Sequence, residues 1–336
     1  MTVSQKSNDV PMAWAFGRCI MENYLREGIF LVTEPPAKDD QVFWARMHAA
    51  YLLAFVLLFH LACNIWWLWR DDHPIGADAA FHMQFAEKYY QALFSPQFQG
   101  WQARWDALKD IHSMYPPLFH ILGAVFWVFS FENMDVVVFC NTIVLLGLIL
   151  GVYYFARTFM APGDAAFAAI VASLTPAIYG LSRLYFQDLL AAMFVVWGYW
   201  ALAKTRGFAR TRWVLVFAVL CGLGFLTRWT VFLYYASAAV YVVIAGLAQA
   251  LRKDADGLRN TKAFGSIVLN LFLVAVLPAL ILAPWYANNY ATMMTKYRAV
   301  FAGKQGNLDY SSAIAWGYYP VYTINTGTFL PLFLVG

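Results

Sequence analysis

Charge is scarce in this chain. Only 12% of its 336 residues are Asp, Glu, Lys or Arg, about half the share of a soluble globular protein, while 62% are hydrophobic. A soluble fold has too little core to hide that much apolar surface, so lipid must be the solvent for much of it. Disorder, a coiled coil and a small secreted scaffold are excluded by the same balance. The net charge of +4 offers no basic face, and no nucleic-acid partner is expected. Cysteine is equally sparse. Cys19, Cys63, Cys140 and Cys221 have no metal-ligand spacing, and the last three lie in apolar runs where they read as small hydrophobes. There is no internal repeat, no zinc spacing, no Gly-rich phosphate loop and no nucleophile elbow. No apolar run lies near the start, so no cleavable signal peptide is expected.

What the chain has instead is long stretches free of charge. Residues 47–69, 136–156, 165–182, 189–203, 213–227, 229–251 and 263–295 contain no Asp, Glu, Lys or Arg, and an eighth such run begins at 311 and continues to Gly336. About 20 apolar residues suffice to cross a bilayer. The pattern predicts an all-α polytopic membrane protein with about eight spans in residues 47–336, and a chain that stops inside a span reads as C-terminally truncated. Trp66, Trp67 and Trp69 mark an interfacial belt at the end of the first run.

Basic residues set the orientation. Lys204, Arg206, Arg210 and Arg212 form one short acid-free loop, and Arg252, Lys253, Arg259 and Lys262 crowd another. Such loops stay cytoplasmic. Residues 1–46 are then a cytoplasmic segment, in which Arg18, Glu22 and Arg26 recur at helical spacing and suggest an amphipathic helix on the inner leaflet. The scheme is consistent only if the apolar stretch 117–131 does not cross. It is therefore read as a juxtamembrane helix within a long first outer loop, residues 70–135. On this topology Lys296, Arg298 and Lys304 fall outside, against the charge rule.

The outer side collects the chemistry-bearing residues. The long loop carries Asp71, Asp72, Asp78, Glu87, Asp106 and Asp110. Asp188 stands where one span ends and the next begins, and Arg228 interrupts an otherwise continuous apolar stretch. A charge at a span margin is costly, and usually faces a cavity or a partner. The residues alone leave alternatives open. Asp78 also reads as a solvated loop acid, Asp188 as a structural partner of Arg183 or Arg228, and Arg228 as a snorkelling anchor. Asp78 and His82, spaced i and i+4, share a helix face with Phe81, Phe85 and Tyr89 on a neighbouring one. His48, His60 and His120 read as hydrogen-bonded helix residues. Trp101 and Trp105 suit sugar stacking and membrane-interface packing equally well.

Five short elements carry a resemblance. Gly76-Ala77-Asp78-Ala79-Ala80-Phe81-His82, just after the first span, resembles the first outer-loop aspartate motif of the GT-C glycosyltransferases, in the branch with the protein O-mannosyltransferases and the lipid A aminoarabinose transferases. Tyr115-Pro116-Pro117-Leu118 resembles that branch's Pro-Pro-Leu motif. Arg183-Leu184-Tyr185-Phe186-Gln187-Asp188 is similar to its second outer-loop segment. Gly222-Leu223-Gly224-Phe225-Leu226-Thr227-Arg228-Trp229 and Pro284-Trp285-Tyr286-Ala287-Asn288-Asn289 are similar to two later elements. Order and spacing hold over about residues 47–290. Two departures stand out: Ala79 occupies the place of a frequent Glu, and Met114-Tyr115 replaces a frequent basic residue before the prolines.

The resemblance implies a GT-C type transmembrane module and an inverting glycosyltransferase at the periplasmic face of the inner membrane. It would move a hexose or pentose from a polyprenyl-phosphate donor to a lipid, glycan or protein hydroxyl. Nucleotide sugars stay in the cytoplasm, so an outer-face enzyme needs a lipid-carried one. Asp78 and Asp188 are then the candidate catalytic carboxylates, Asp78 as general base. Arg228 and Arg298 are candidate phosphate ligands, and His82 and Tyr115 candidate substrate-binding residues. No metal or other cofactor is required, although two carboxylates suffice to hold a divalent ion. The competing classes are a polytopic lipid or sugar transporter or flippase using the same charges as a pathway, and a catalytically degenerate membrane scaffold.

Overall fold

A computed structural model describes residues 39–71, 76–111, 114–131, 133–251 and 261–305. The amphipathic segment expected within residues 1–46 lies almost wholly outside them, as does the apolar run 311–336. The regular structure of the described residues is entirely α-helical. Eleven helices follow in order: α1 Asp39–Arg70, α2 Ala77–Phe94, α3 Gly100–Lys109, α4 Leu118–Trp127, α5 Met134–Ala156, α6 Pro162–Ser173, α7 Pro176–Leu181, α8 Asp188–Lys204, α9 Thr211–Thr227, α10 Val231–Leu251 and α11 Thr261–Gln305. Four stretches within them are long and apolar enough to cross a membrane: Phe43–Arg70, Met134–Ala156, Val231–Leu251 and Phe264–Lys296.

The apolar run 165–182 is two helices rather than one. Pro176 cannot donate to the ladder of a continuous helix, so α6 ends at Ser173 and α7 restarts with proline in its first turn. The stretch 117–131 forms α4, whose ten residues reach only about 15 Å, half the hydrocarbon thickness. It packs on α5 and α9 and pairs with α2, and so docks the whole segment between α1 and α5 onto the bundle. From α1 the packing passes through α5 and α6 to α8, then to α9, α10 and α11.

Helices that share lipid as solvent gain little from hydrophobicity and are joined by close packing and polar contacts. Buried Asn64 on α1 donates to Thr142 Oγ1 on α5 (3.2 Å) and Ser182 Oγ after α7 (2.9 Å). His60 bonds Ser173 Oγ at 2.9 Å, the hydrogen-bonded helix residue that its place in an apolar run suggested. Asn270 on α11 donates to the Phe208 carbonyl at 2.7 Å.

One such contact holds the turn that leads to Asp188. Between α7 and α8 the backbone leaves the helix, and only turn contacts, Leu184 N–H to the Leu181 carbonyl (3.3 Å) and Phe186 N–H to the Leu184 carbonyl (3.0 Å), replace its ladder. Asn141, fully buried on α5, aims Nδ2 at the carbonyls of Leu181, Leu184 and Phe186. Replacing Asn141 with Leu keeps the bulk and removes the amide from the turn, leaving the Leu181 and Leu184 carbonyls only their turn contacts. We expect about 1–3 kcal/mol of lost stability, read as a lower thermal midpoint in detergent, with a further loss of activity that Leu145→Val, a packing change on the same helix, does not share.

Candidate active site

Asp78 lies in the first turn of α2, exposed, with Gly76 at the N-cap. The positive end of a helix dipole favours an anion there. One turn later His82 is buried, its ring 4.8 Å from that of Tyr115 and 5.9 Å from that of Phe186. Its Nδ1 is 3.0 Å from Nε2 of His120, which is wholly enclosed on α4. The two imidazoles stack at 5.3 Å, and Phe85, Tyr89 and Phe119 pack around His120.

The second half of the site comes from two antiparallel helix ends. Asp188 begins α8 and Arg228 caps the C-terminus of α9. Each charge opposes the dipole end on which it sits. The two side chains form an ion pair, both remaining partly exposed. This decides between the partners open to Asp188. Arg183 is committed elsewhere: its Nε donates to Asn64 Oδ1 at 3.1 Å, and its guanidinium lies over the Tyr179 ring at 4.1 Å and the Trp67 ring at 4.6 Å.

Electrostatics ties the two halves together. Burial lowers the His82 pKa to about 4; the Asp78 carboxylate works against that shift and the Arg228 guanidinium with it. The same two charges act on Tyr115, whose hydroxyl is pushed up, chiefly by burial. Asp78 and Arg228 therefore both lie within electrostatic reach of His82 and Tyr115. Burial also takes His120 down to about 3, helped by His82 and weakly opposed by the Pro116 carbonyl.

Close packing fixes the rings around His82. Tyr185, in the turn before Asp188, is fully buried, stacks on Phe119 at 4.4 Å and donates to the Phe119 carbonyl at 3.3 Å. The approach needs a glycine at 123, where a Cβ would stand 1.8 Å from the Tyr185 hydroxyl. An apolar cavity of about 200 Å³ lies between α2, α3, α4 and the later helices. Tyr89, Trp105, Pro117, Leu226, Pro284 and Trp285 are among its walls.

Residues 114–285 match the family described as dolichyl-phosphate-mannose-protein mannosyltransferase, just over half of the chain. The chain belongs to this family. It is an integral membrane glycosyltransferase of the GT-C type. No curated protein and no solved structure matches it. The matched stretch begins beside the Tyr115 motif and ends on Trp285, so it contains Asp188 and Arg228, while Asp78 and His82 precede it.

Of the residues singled out from the glycosyltransferase sequence, Asp78, His82, Tyr115, Asp188 and Arg228 gather here. Arg298 does not. It is exposed on α11, about 20 Å along the axis beyond Trp285, and among the described residues no hydrogen bond or ion pair joins it to the others. His120 and Asn141 belong to the site's framework; the sequence reads His120 as a hydrogen-bonded helix residue and leaves Asn141 unnamed, since a lone polar residue in an apolar run carries no pattern. Ala79 is 1% exposed and packs with Met83 and Ala86 in the core. Among the described residues no three His, Cys, Asp or Glu side chains gather as metal ligands.

The buried imidazoles give stability a pH dependence. Unfolded histidines titrate near 6.5 and the folded pair near 4 and 3. As pH falls below 6.5 the unfolded chain takes up protons that the folded one refuses. The contribution of the neutral pair is thus complete above about 6.5 and is lost towards 3. The thermal midpoint should fall between pH 7 and pH 5, and fall less in a His82→Gln/His120→Phe double variant.

Proposed function

We propose that this chain is an inverting glycosyltransferase that moves a sugar from a polyprenyl-phosphate donor to an acceptor hydroxyl at the periplasmic face of the inner membrane. The observation that carries the reading is that the Asp78 carboxylate and the Arg228 guanidinium both act on His82 and Tyr115, in a chain whose family takes its name from a lipid-phosphate sugar donor.

The chemistry follows from the charges. An acceptor hydroxyl attacks C1 of the sugar, the C1–O bond to phosphate breaks, and Asp78 takes the hydroxyl proton. A base opposite the leaving group makes this a single displacement with inversion. The phosphate departs as an anion, which needs charge stabilisation more than a proton. Arg228 presents a planar fork for its oxygens, and Asp188 holds that fork in place. His82 and Tyr115 line the space between. The apolar cavity at Leu226 and Trp285 suits the first isoprene unit of the carrier. The displacement uses no cofactor. The acceptor is a lipid, glycan or protein hydroxyl.

The test uses the full-length gene expressed in membranes, radiolabelled polyprenyl-phosphate hexose and a crude envelope acceptor. Asp78→Asn keeps size and removes the base, and transfer should fall about a hundredfold or more with the protein still in the membrane. Arg228→Lys keeps the charge and loses the fork; we expect about a tenfold loss, the scale of one charged hydrogen bond. Transfer indifferent to Asp78→Asn would move the base to Asp188. No transfer by any form, across several donors, would favour the transporter or the degenerate scaffold, to which the absence of a carboxylate at Ala79 already lends weight.

A further inference from the structure

The connection between α8 and α9 is a fixed turn. Arg206, Gly207 and Phe208 all hold positive φ, at 51°, 66° and 63°. Residues with side chains are strained in that region and persist there only where their surroundings fix them. Here the surroundings do. Phe208 is buried, its N–H donates to Thr205 Oγ1 at 3.3 Å and its carbonyl accepts from Asn270 Nδ2 at 2.7 Å. Gly207 lies so close to α10 that a Cβ would stand 2.6 Å from the Gly246 Cα. The Arg210 N–H closes the turn on the Thr205 carbonyl at 2.9 Å. Lys204 is about 24 Å along α8 from Asp188, so the turn lies at the membrane face opposite the candidate active site.

This turn displays positive charge. Lys204, Arg206, Arg210 and Arg212 crowd it, and Arg157 closes α5 beside it. Among the described residues no carboxylate pairs with any of the five. Ring contacts show how they are grouped. Tyr154, Trp200 and Trp213 each stand one helical turn nearer the bilayer than a cation, Arg157, Lys204 and Arg210 respectively. Those rings touch: Tyr154 and Trp200 are 6.1 Å apart, Trp200 and Trp213 4.9 Å. Trp197 extends the wall, 5.8 Å from Tyr154 and 5.3 Å from Trp200, and Arg212 lies over Trp213 at 5.6 Å. Three cations are thus held side by side above one aromatic wall. Arg157 keeps a link of its own to the Met160 carbonyl. The crowding registers on Lys204, whose pKa is pulled down by burial and then by the charges of Arg210, Arg157 and Arg206. Charge that served only to keep a loop on its side of the membrane would need no such fixed geometry.

We propose that Arg157, Lys204, Arg206, Arg210 and Arg212 bind the phosphodiester headgroup of an anionic membrane lipid, whose acyl chains run along the wall of Tyr154, Trp197, Trp200 and Trp213. Charge complementarity selects the headgroup. Like charges held together without a carboxylate favour an anion, and guanidinium forks match phosphate oxygens. A zwitterionic lipid brings a cation of its own into the cluster, whereas phosphatidylglycerol does not. Height selects a lipid over a soluble phosphate. Trp and Tyr mark the membrane interface, which sets these cations at headgroup level and leaves hydrocarbon beneath them for the chains. The turn joins α8 and α9, which carry Asp188 and Arg228 at their other ends. An occupant therefore ties together the near ends of the two helices that make the ion pair. The site stands whether or not the chain transfers sugar.

Native mass spectrometry of the full-length protein in detergent tests the site, with phosphatidylglycerol and phosphatidylcholine offered together. Wild type should retain phosphatidylglycerol in preference. Arg206→Gln/Arg210→Gln should weaken that retention about thirtyfold, since each cation near an anionic surface is worth about fivefold in affinity. Arg46→Gln/Lys296→Gln removes the same charge from exposed positions elsewhere. It should leave retention within about twofold, because charges beyond a Debye length are screened. Equal loss in the two double variants would reduce the preference to net charge and overturn the proposal. Equal retention of both lipids by wild type would overturn it as well. Displacement of phosphatidylglycerol by equimolar inorganic phosphate would make this a site for a soluble anion, and would overturn the lipid as its occupant.

Discussion

Polar atoms inside a lipid-solvated bundle must find their partners within the protein, because no water is there to take them. That requirement governs this fold more than apolar packing does. An uninterrupted helix meets it unaided. A break does not, and the site is built on breaks. The turn from Ser182 to Gln187 is tolerated because Asn141 supplies an amide to three of the surrounding carbonyls. The same stretch places Tyr185 against Phe119 and delivers Asp188 to the head of α8. Removing the amide therefore reaches further than the one bond, since the carboxylate that holds Arg228 is carried on the loop it supports.

The charged groups obey the same economy by sitting at helix ends. Asp78 and Asp188 open helices and Arg228 closes one, each at the terminus whose dipole suits its sign. Their cost at a membrane margin is offset in part by backbone already in place. The uncharged half of the site is different in kind. His82, His120, Tyr115 and Phe186 form an aromatic block whose burial keeps both imidazoles neutral. Two charges of opposite sign, Asp78 and Arg228, thus act on a block that carries none.

Much of this was legible in the sequence, for identifiable reasons. Runs without charge are a strong signal because a charge in lipid is so costly, and they located the helices. The outlying charges Asp78, Asp188 and Arg228 were visible by the same logic, as exceptions. The pairing of Asp188 was not, since Arg183 and Arg228 are equal candidates until the fold commits one of them to Asn64 and Tyr179. His120 looked like a satisfied core histidine. That reading was right about its hydrogen bond and silent about its partner, which lies 38 positions away on another helix. The split of 165–182 turned on one residue, Pro176, within a run whose hydropathy is uniform. Arg298 carried the right charge, but helical rise takes it away from the pocket.

The ion pair at Arg228 also bears on what the site ignores. A bilayer surface is crowded with phosphates, and a bare guanidinium there would be occupied by bulk phospholipid most of the time. With Asp188 already in contact, an incoming phosphate must share or displace a resident anion, and its charge alone gains little. Only a lipid that adds contacts of its own, through a sugar in the pocket or an isoprene beside Trp285, would stay. On the function proposed above, the carboxylate that orients the fork also makes it discriminating in a membrane full of decoys.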